Sequence, residues 1–152
     1  MPLPQAHIPK PESQVANATS LLRVLWLWGP VAVYMAVIFY LSAQSSPPTP
    51  GGIPDKVLHA TEYFVFGVMV FRAVAGGLPA LLNARRASLT LLIAVGYGAS
   101  DELHQLFVPL RTADVRDLLA DAVGVVGALL VCGAWHIIRN SKAEIPKPKS
   151  RR

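Results

Sequence analysis

Three short stretches of this chain hold residue types that could do chemistry. In "DKVLHATEY", Asp55, His59 and Glu62 recur at i, i+4 and i+7, a spacing that puts all three on one face of a helix. Lys56 and Tyr63 flank them. In "YGASDELHQ", Tyr97, Asp101 and Gln105 are four apart, with Glu102 and His104 beside them. In "DVRDLLADAVGVVGA", Asp114, Asp117, Asp121, Gly124 and Ala128 make one stripe, polar above and small below, of the kind that lets a neighbouring helix come close. Arg111 stands between the last two stretches. Such residues can act as acid and base, ligate a metal through nitrogen and oxygen, or tie helices together. An arginine among them has the planar fork that suits a phosphate or carboxylate.

These uses compete. His59 with Glu62, Asp101 or Asp117 is a possible ligand set for a divalent cation. A lysine and an arginine in the same cluster favour a structural network or a ligand pocket instead, so no metal and no cofactor are assigned. Asp101 and Glu102 look like a carboxylate pair, yet adjacent helical residues diverge by about 100°. Arg111 or Lys56 is therefore expected to neutralise one each. Arg111 is expected to be anchored by acids of two helices unless it serves a ligand.

The elements that carry these residues are apolar. Of the 152 residues 53% are hydrophobic and 15% charged, against about a quarter charged in soluble domains. The mean hydropathy is +0.42. Four segments are long enough to cross a bilayer, which takes about 20 helical residues: Val24–Ala43, Val57–Ala75, Ala87–Phe107 and Leu118–Ile138. They lack the alternation of strands. The first resembles a signal peptide, but it follows a polar leader, and Leu41 is a poor fit to a small-residue cleavage site. Pro30 should bend it slightly. Pro- and Gly-rich "QSSPPTPGGIPD", "GGLPALLNARR" and "VPLRTADVRD" read as loops, the last with Thr112 or Asp114 placed to cap the following helix. The fold expected is all-α, a compact bundle of four transmembrane helices over residues 21–139. Residues 1–20 and 140–152 are expected to be disordered tails.

Basic residues fix the expected orientation. Eleven (Lys10, Arg23, Arg72, Arg85, Arg86, Arg139, Lys142, Lys147, Lys149, Arg151, Arg152) belong to the tails and second loop, and three (Lys56, Arg111, Arg116) to the other end. Both termini are thus expected in the cytoplasm. Trp26, Trp28 and Trp135 lie toward that side as interfacial anchors. The pI near 9.7 then reflects topology and attraction to anionic lipid, not nucleic acid. Seven of nine acids (Asp55, Glu62, Asp101, Glu102, Asp114, Asp117, Asp121) collect at the outer end. Charges inside a span face protein or water rather than lipid, so three helices are expected to turn polar faces toward one another there. His136 reads as an interface residue and Cys132 as apolar filler. No phosphate loop, nucleophile elbow, HExxH or repeat is present.

The same residues resemble the VanZ-like family of small bacterial membrane proteins. The pattern D-K-x-x-H-x-x-E-Y falls on Asp55, Lys56, His59, Glu62 and Tyr63. D-E-x-x-Q-x-F-V-P-x-R falls on Asp101, Glu102, Gln105, Pro109 and Arg111, and D-x-x-A-[ND]-x-x-G on Asp117, Asp121 and Gly124. Leu110 stands where the family often has glycine, and Asp121 where asparagine is common. The resemblance implies a multi-pass protein of the bacterial cytoplasmic membrane and a link to teicoplanin resistance, without a defined activity. Asp55, Lys56, His59, Glu62, Tyr63, Asp101, Glu102, Gln105, Arg111, Asp117 and Asp121 are the expected functional pocket. Membrane lipids, a lipid-linked envelope precursor or the glycopeptide itself are the expected partners. The other reading is a membrane enzyme acting on such a lipid or precursor, with His59 and a carboxylate as acid and base, with or without a metal.

Overall fold

In a computed structural model, residues 11–46 and 51–143 are described. They form four helices in chain order: α1 Pro11–Ser42, α2 Asp55–Ala75, α3 Ala84–Gln105 and α4 Val115–Ala143. No strand occurs among the described residues.

The helix ends follow local chemistry. α1 begins inside the segment expected to be a disordered tail. Proline suits a first turn, where its missing N–H would have had no partner anyway. α4 likewise runs past residue 140 to Ala143. The remaining tail expectations, over residues 1–10 and 144–152, lie outside the described residues. The Asn83 side chain caps α3 by accepting the Arg86 N–H at 2.9 Å. α2 ends on Gly76 in the left-handed conformation (φ 77), from which the Gly76 and Gly77 N–H groups reach the Ala73 and Arg72 carbonyls. Asp114 caps α4, its side chain accepting the Arg116 N–H at 2.8 Å.

Pro30 sits within α1 and leaves the Trp26 carbonyl without its helical donor. Arg72 of α2 supplies one: its Nη1 donates to Trp26 O at 3.0 Å, and the guanidinium lies 5.1 Å from the centre of the Trp26 ring.

α2 and α4 run parallel and form the closest pair, in register from Lys56 beside Asp117 through His59 beside Asp121 to Gly67 beside Ala128. Gly124 faces the α2 backbone at Ala60 so closely that a Cβ there would collide with the Ala60 carbonyl oxygen. α3 returns antiparallel between them, and α1 packs on α2 and α3 without touching α4. The core is Phe66, Val70, Phe71, Ala94, Val125 and Ala128, all fully buried. Large apolar side chains elsewhere point outward, among them Trp26, Leu92 and Val123, a surface that only lipid would cover at no cost.

Among the described residues three helices are long and apolar enough to cross a membrane, over Ser20–Ser42, Asp55–Ala75 and Val115–Lys142. α3, expected as a fourth, has the length at 22 residues but falls short in apolarity. Its last turns are Ser100–Gln105, the polar stretch itself.

Candidate functional site

The polar ends of α2, α3 and α4 do converge, and α1 closes the fourth side. Between them lies a cavity of about 340 Å³. Seven of the eleven expected residues line it: Asp55, His59, Glu62, Tyr63, Asp101, Gln105 and Arg111. The other four, Lys56, Glu102, Asp117 and Asp121, stand behind and brace the wall.

The bracing is specific. Lys56 bridges Asp114, at 3.0 Å, and Asp117. This links the start of α2 to the start of α4. His59 Nδ1 meets the buried Asp121 carboxylate at 3.0 Å, which fixes the imidazole's orientation. Glu102 accepts the Asp114 backbone N–H at 2.9 Å and so ties α3 to the same capping turn. The Arg116 N–H and the Lys56 ammonium hold the Asp114 carboxyl below its ordinary range.

Asp101 and Glu102 are not neutralised by Arg111 or Lys56, as their side-by-side charges had suggested. Buried Asp101 takes two neutral donors, Ser42 Oγ of α1 at 2.6 Å and Gln105 Nε2 at 3.1 Å. The expected anchoring of Arg111 also fails: Asp101 and Glu102 take uncharged donors, Asp114 and Asp117 take Lys56, and Asp121 takes His59. Among the described residues no carboxylate lies within ion-pair distance of Arg111, and its buried Nε has no partner. Glu62 also faces the cavity without a hydrogen bond to its carboxylate. Tyr63 Oη is buried against the same space, the residue 2% exposed, and it too has no partner.

Arg111 is presented by a tight turn in which its N–H returns to Val108 O at 3.2 Å. Leu110 in that turn has φ 66, the conformation a glycine would adopt freely. The leucine therefore occupies a strained turn conformation, its side chain pointing out at 92% exposure.

The floor of the cavity is aromatic. Phe66 packs against Tyr34, Tyr63 and Tyr97 at ring separations of 5.9, 5.7 and 5.5 Å, sealing the polar end from the apolar half below. Tyr34 and Tyr97 add cross-helix bonds, to Glu62 O at 3.2 Å and Met35 O at 2.6 Å. The α1 wall, Tyr34, Ile38, Leu41 and Ser42, was not foreseen from the sequence. It mixes apolar and polar lining, and of the residues around the cavity Asp55 and Thr61 of α2 are the exposed ones.

For a metal, Asp55, His59 and Asp117 offer one ligand atom each, all within 4.8 Å of one another. That set shares only His59 and Asp117 with the sequence expectation.

The family profile described as VanZ/LLP1 matches residues 27–138, from the middle of α1 through nearly all of α4. A protein of the fission yeast Schizosaccharomyces pombe, described as uncharacterized, is 32% identical over 117 residues, 76% of this chain and 67% of that protein. No solved structure matches.

Proposed function

The chain belongs to the VanZ-like family, and from that premise we propose that it is a four-span protein of the bacterial cytoplasmic membrane whose outer cavity binds an anionic headgroup. A lipid or lipid-linked envelope molecule would supply that group. The observation that carries this reading is Arg111: a guanidinium lining a cavity, left without a carboxylate in a cluster holding seven of them. An arginine in that position is ready for a phosphate or carboxylate from outside the chain. A wall that combines Ile38 and Leu41 with polar groups supports a ligand that carries hydrocarbon beside its charged head. A relative in a yeast favours headgroup chemistry common to many membranes over a feature confined to bacterial walls. A change in teicoplanin susceptibility, with vancomycin for comparison, is the proposed physiological readout.

The parallel course of α2 and α4 supports four spans: if both cross in one direction, α3 must return between them, shielding its polar turns within the cluster. The distribution of basic residues supports both termini in the cytoplasm.

Native mass spectrometry of the full chain in mild detergent tests the binding. Wild type should retain an anionic lipid that Arg111→Ala loses, with melting temperature unchanged because no ion pair is broken. Equal retention by both, or no lipid on either, would overturn the reading. The His59–Asp121 pair favours one second reading, an enzyme using His59 as acid and base. Turnover of a radiolabelled phospholipid by wild type, abolished in His59→Ala, would select it.

A further inference from the structure

We propose that Asp55, His59 and Asp117 form a divalent-cation site at the mouth of the cavity, completing a surface that the protein's own charges leave too negative for an anion. This deepens the headgroup reading and rests on it for the role of the ion, although the site stands on its own geometry. Three donors from two helices lie within 4.8 Å of one another, a spread that small side-chain movements close around one ion. His59 is held through Nδ1 by the buried Asp121 carboxylate. A carboxylate behind a histidine is the usual support of a metal-bound imidazole, fixing its ring and raising its basicity. One nitrogen and two carboxylate oxygens suit zinc or manganese better than magnesium.

Formal charge favours an ion here. Seven carboxylates at this end face three cations, and Lys56 is already shared by Asp114 and Asp117. With His59 neutral the cluster has an excess of four negative charges, and a phosphate brought to Arg111 would meet it. A divalent ion halves that excess and sits where Asp55 and His59 line the cavity. The cavity beside the site holds unsatisfied polarity of its own: Tyr63 Oη, in a residue 2% exposed, lines it and has no partner among the described residues. Lys56 competes with the ion for Asp117. It can release that oxygen and remain on Asp114.

Isothermal titration of the purified full chain with Zn²⁺ or Mn²⁺, without added lipid, tests the site. One ion per chain should bind. Asp55→Asn, at an exposed residue outside the hydrogen-bonded network, should weaken binding by at least about tenfold, and Asp121→Asn by about 10–100-fold. Lys56→Met should tighten it by removing the competitor. Absence of binding, or equal affinity in wild type and Asp55→Asn, overturns the site. The lipid arm separates the two ideas. If anionic lipid stays bound after chelation and in Asp55→Asn but leaves in Arg111→Ala, the headgroup reading survives and the bridging ion does not. If Arg111→Ala keeps both ion and lipid, the headgroup reading fails on its own.

Discussion

Gly124→Ala should do more damage than one methyl group usually does. The added Cβ would meet the backbone of α2, with Phe64 N at 2.9 Å, Ala60 C at 3.0 Å and the Ala60 carbonyl oxygen closer still. Ordinary contact begins at 3.4 Å, so relieving the contact with the Ala60 oxygen means the two helices must part by about 1 Å, since helix backbone cannot swing aside as a side chain can. Overpacking of this kind costs about 1–3 kcal/mol, and alanine returns up to about 1 kcal/mol through helix propensity. A net loss of about 1–2 kcal/mol lowers the melting temperature of a chain this size by roughly 2–8 °C. The same displacement stretches the 3.0 Å bond between His59 and Asp121, one turn away, past the limit of hydrogen bonding. Thermal unfolding in detergent, followed by fluorescence-detected size exclusion, measures the first effect. Gly96→Ala, where a Cβ meets nothing within 4 Å, is the control and should be neutral or stabilising. If Gly124→Ala melts with Gly96→Ala, the α2–α4 contact is not the tight joint described.

Leu110→Gly should raise stability by about 0.5–1 kcal/mol, because a leucine at positive φ costs about 1–2 kcal/mol and glycine returns only part of that as unfolded-state entropy; a lower melting temperature would contradict the strain. Asp114 has its carboxyl pKa held below 3.8, so its contribution is fully present above that pH and disappears as pH falls through the lower, folded value. Asp114→Asn should therefore melt below wild type at pH 6, with the gap closing only as pH falls well below 3.8; a gap that stays constant as acid is added would assign the effect to packing. In a Cys132→Ser background, an impermeant maleimide added to cells should label Gly51→Cys and miss Ala84→Cys, and the reverse pattern would invert the topology.

Much of the site was legible because helical spacing is a strong constraint. Asp55, His59 and Glu62 had to share a face, and all three reach the cavity. Asp114 was one of two cap candidates, with Thr112, and the structure selects it. What spacing does not encode is which acid meets which base. The lysine and arginine looked interchangeable as neutralisers, yet Lys56 lies where two acids begin α4, while Arg111 is carried on a turn that points it elsewhere. Ser42 gave no signal, since a single serine ending an apolar span is ordinary, and its partner Asp101 is 59 residues away. The failure of α3 to reach the apolarity of the other helices shares part of its origin with the site: Asp101 and Gln105, which line the cavity, and Glu102, which braces it, are among the residues that lower it.

The way α1 is fastened has a consequence for how this protein can diverge. Two of its attachments, from Arg72 to Trp26 O and from Tyr97 to Met35 O, end on main-chain carbonyls, which every residue supplies. Substitutions at positions 26 and 35 therefore leave those hydrogen bonds intact provided the helix forms, although one at 26 forfeits the contact of Arg72 with the Trp26 ring. Pro30, Tyr34 and Ser42 are different, because each contributes something that only a few side chains can. α1 can thus drift through much of apolar sequence space while α2, α3 and α4, whose bonds run side chain to side chain, cannot. Among related chains, comparison by sequence would make α1 look dispensable, although it forms one wall of the cavity.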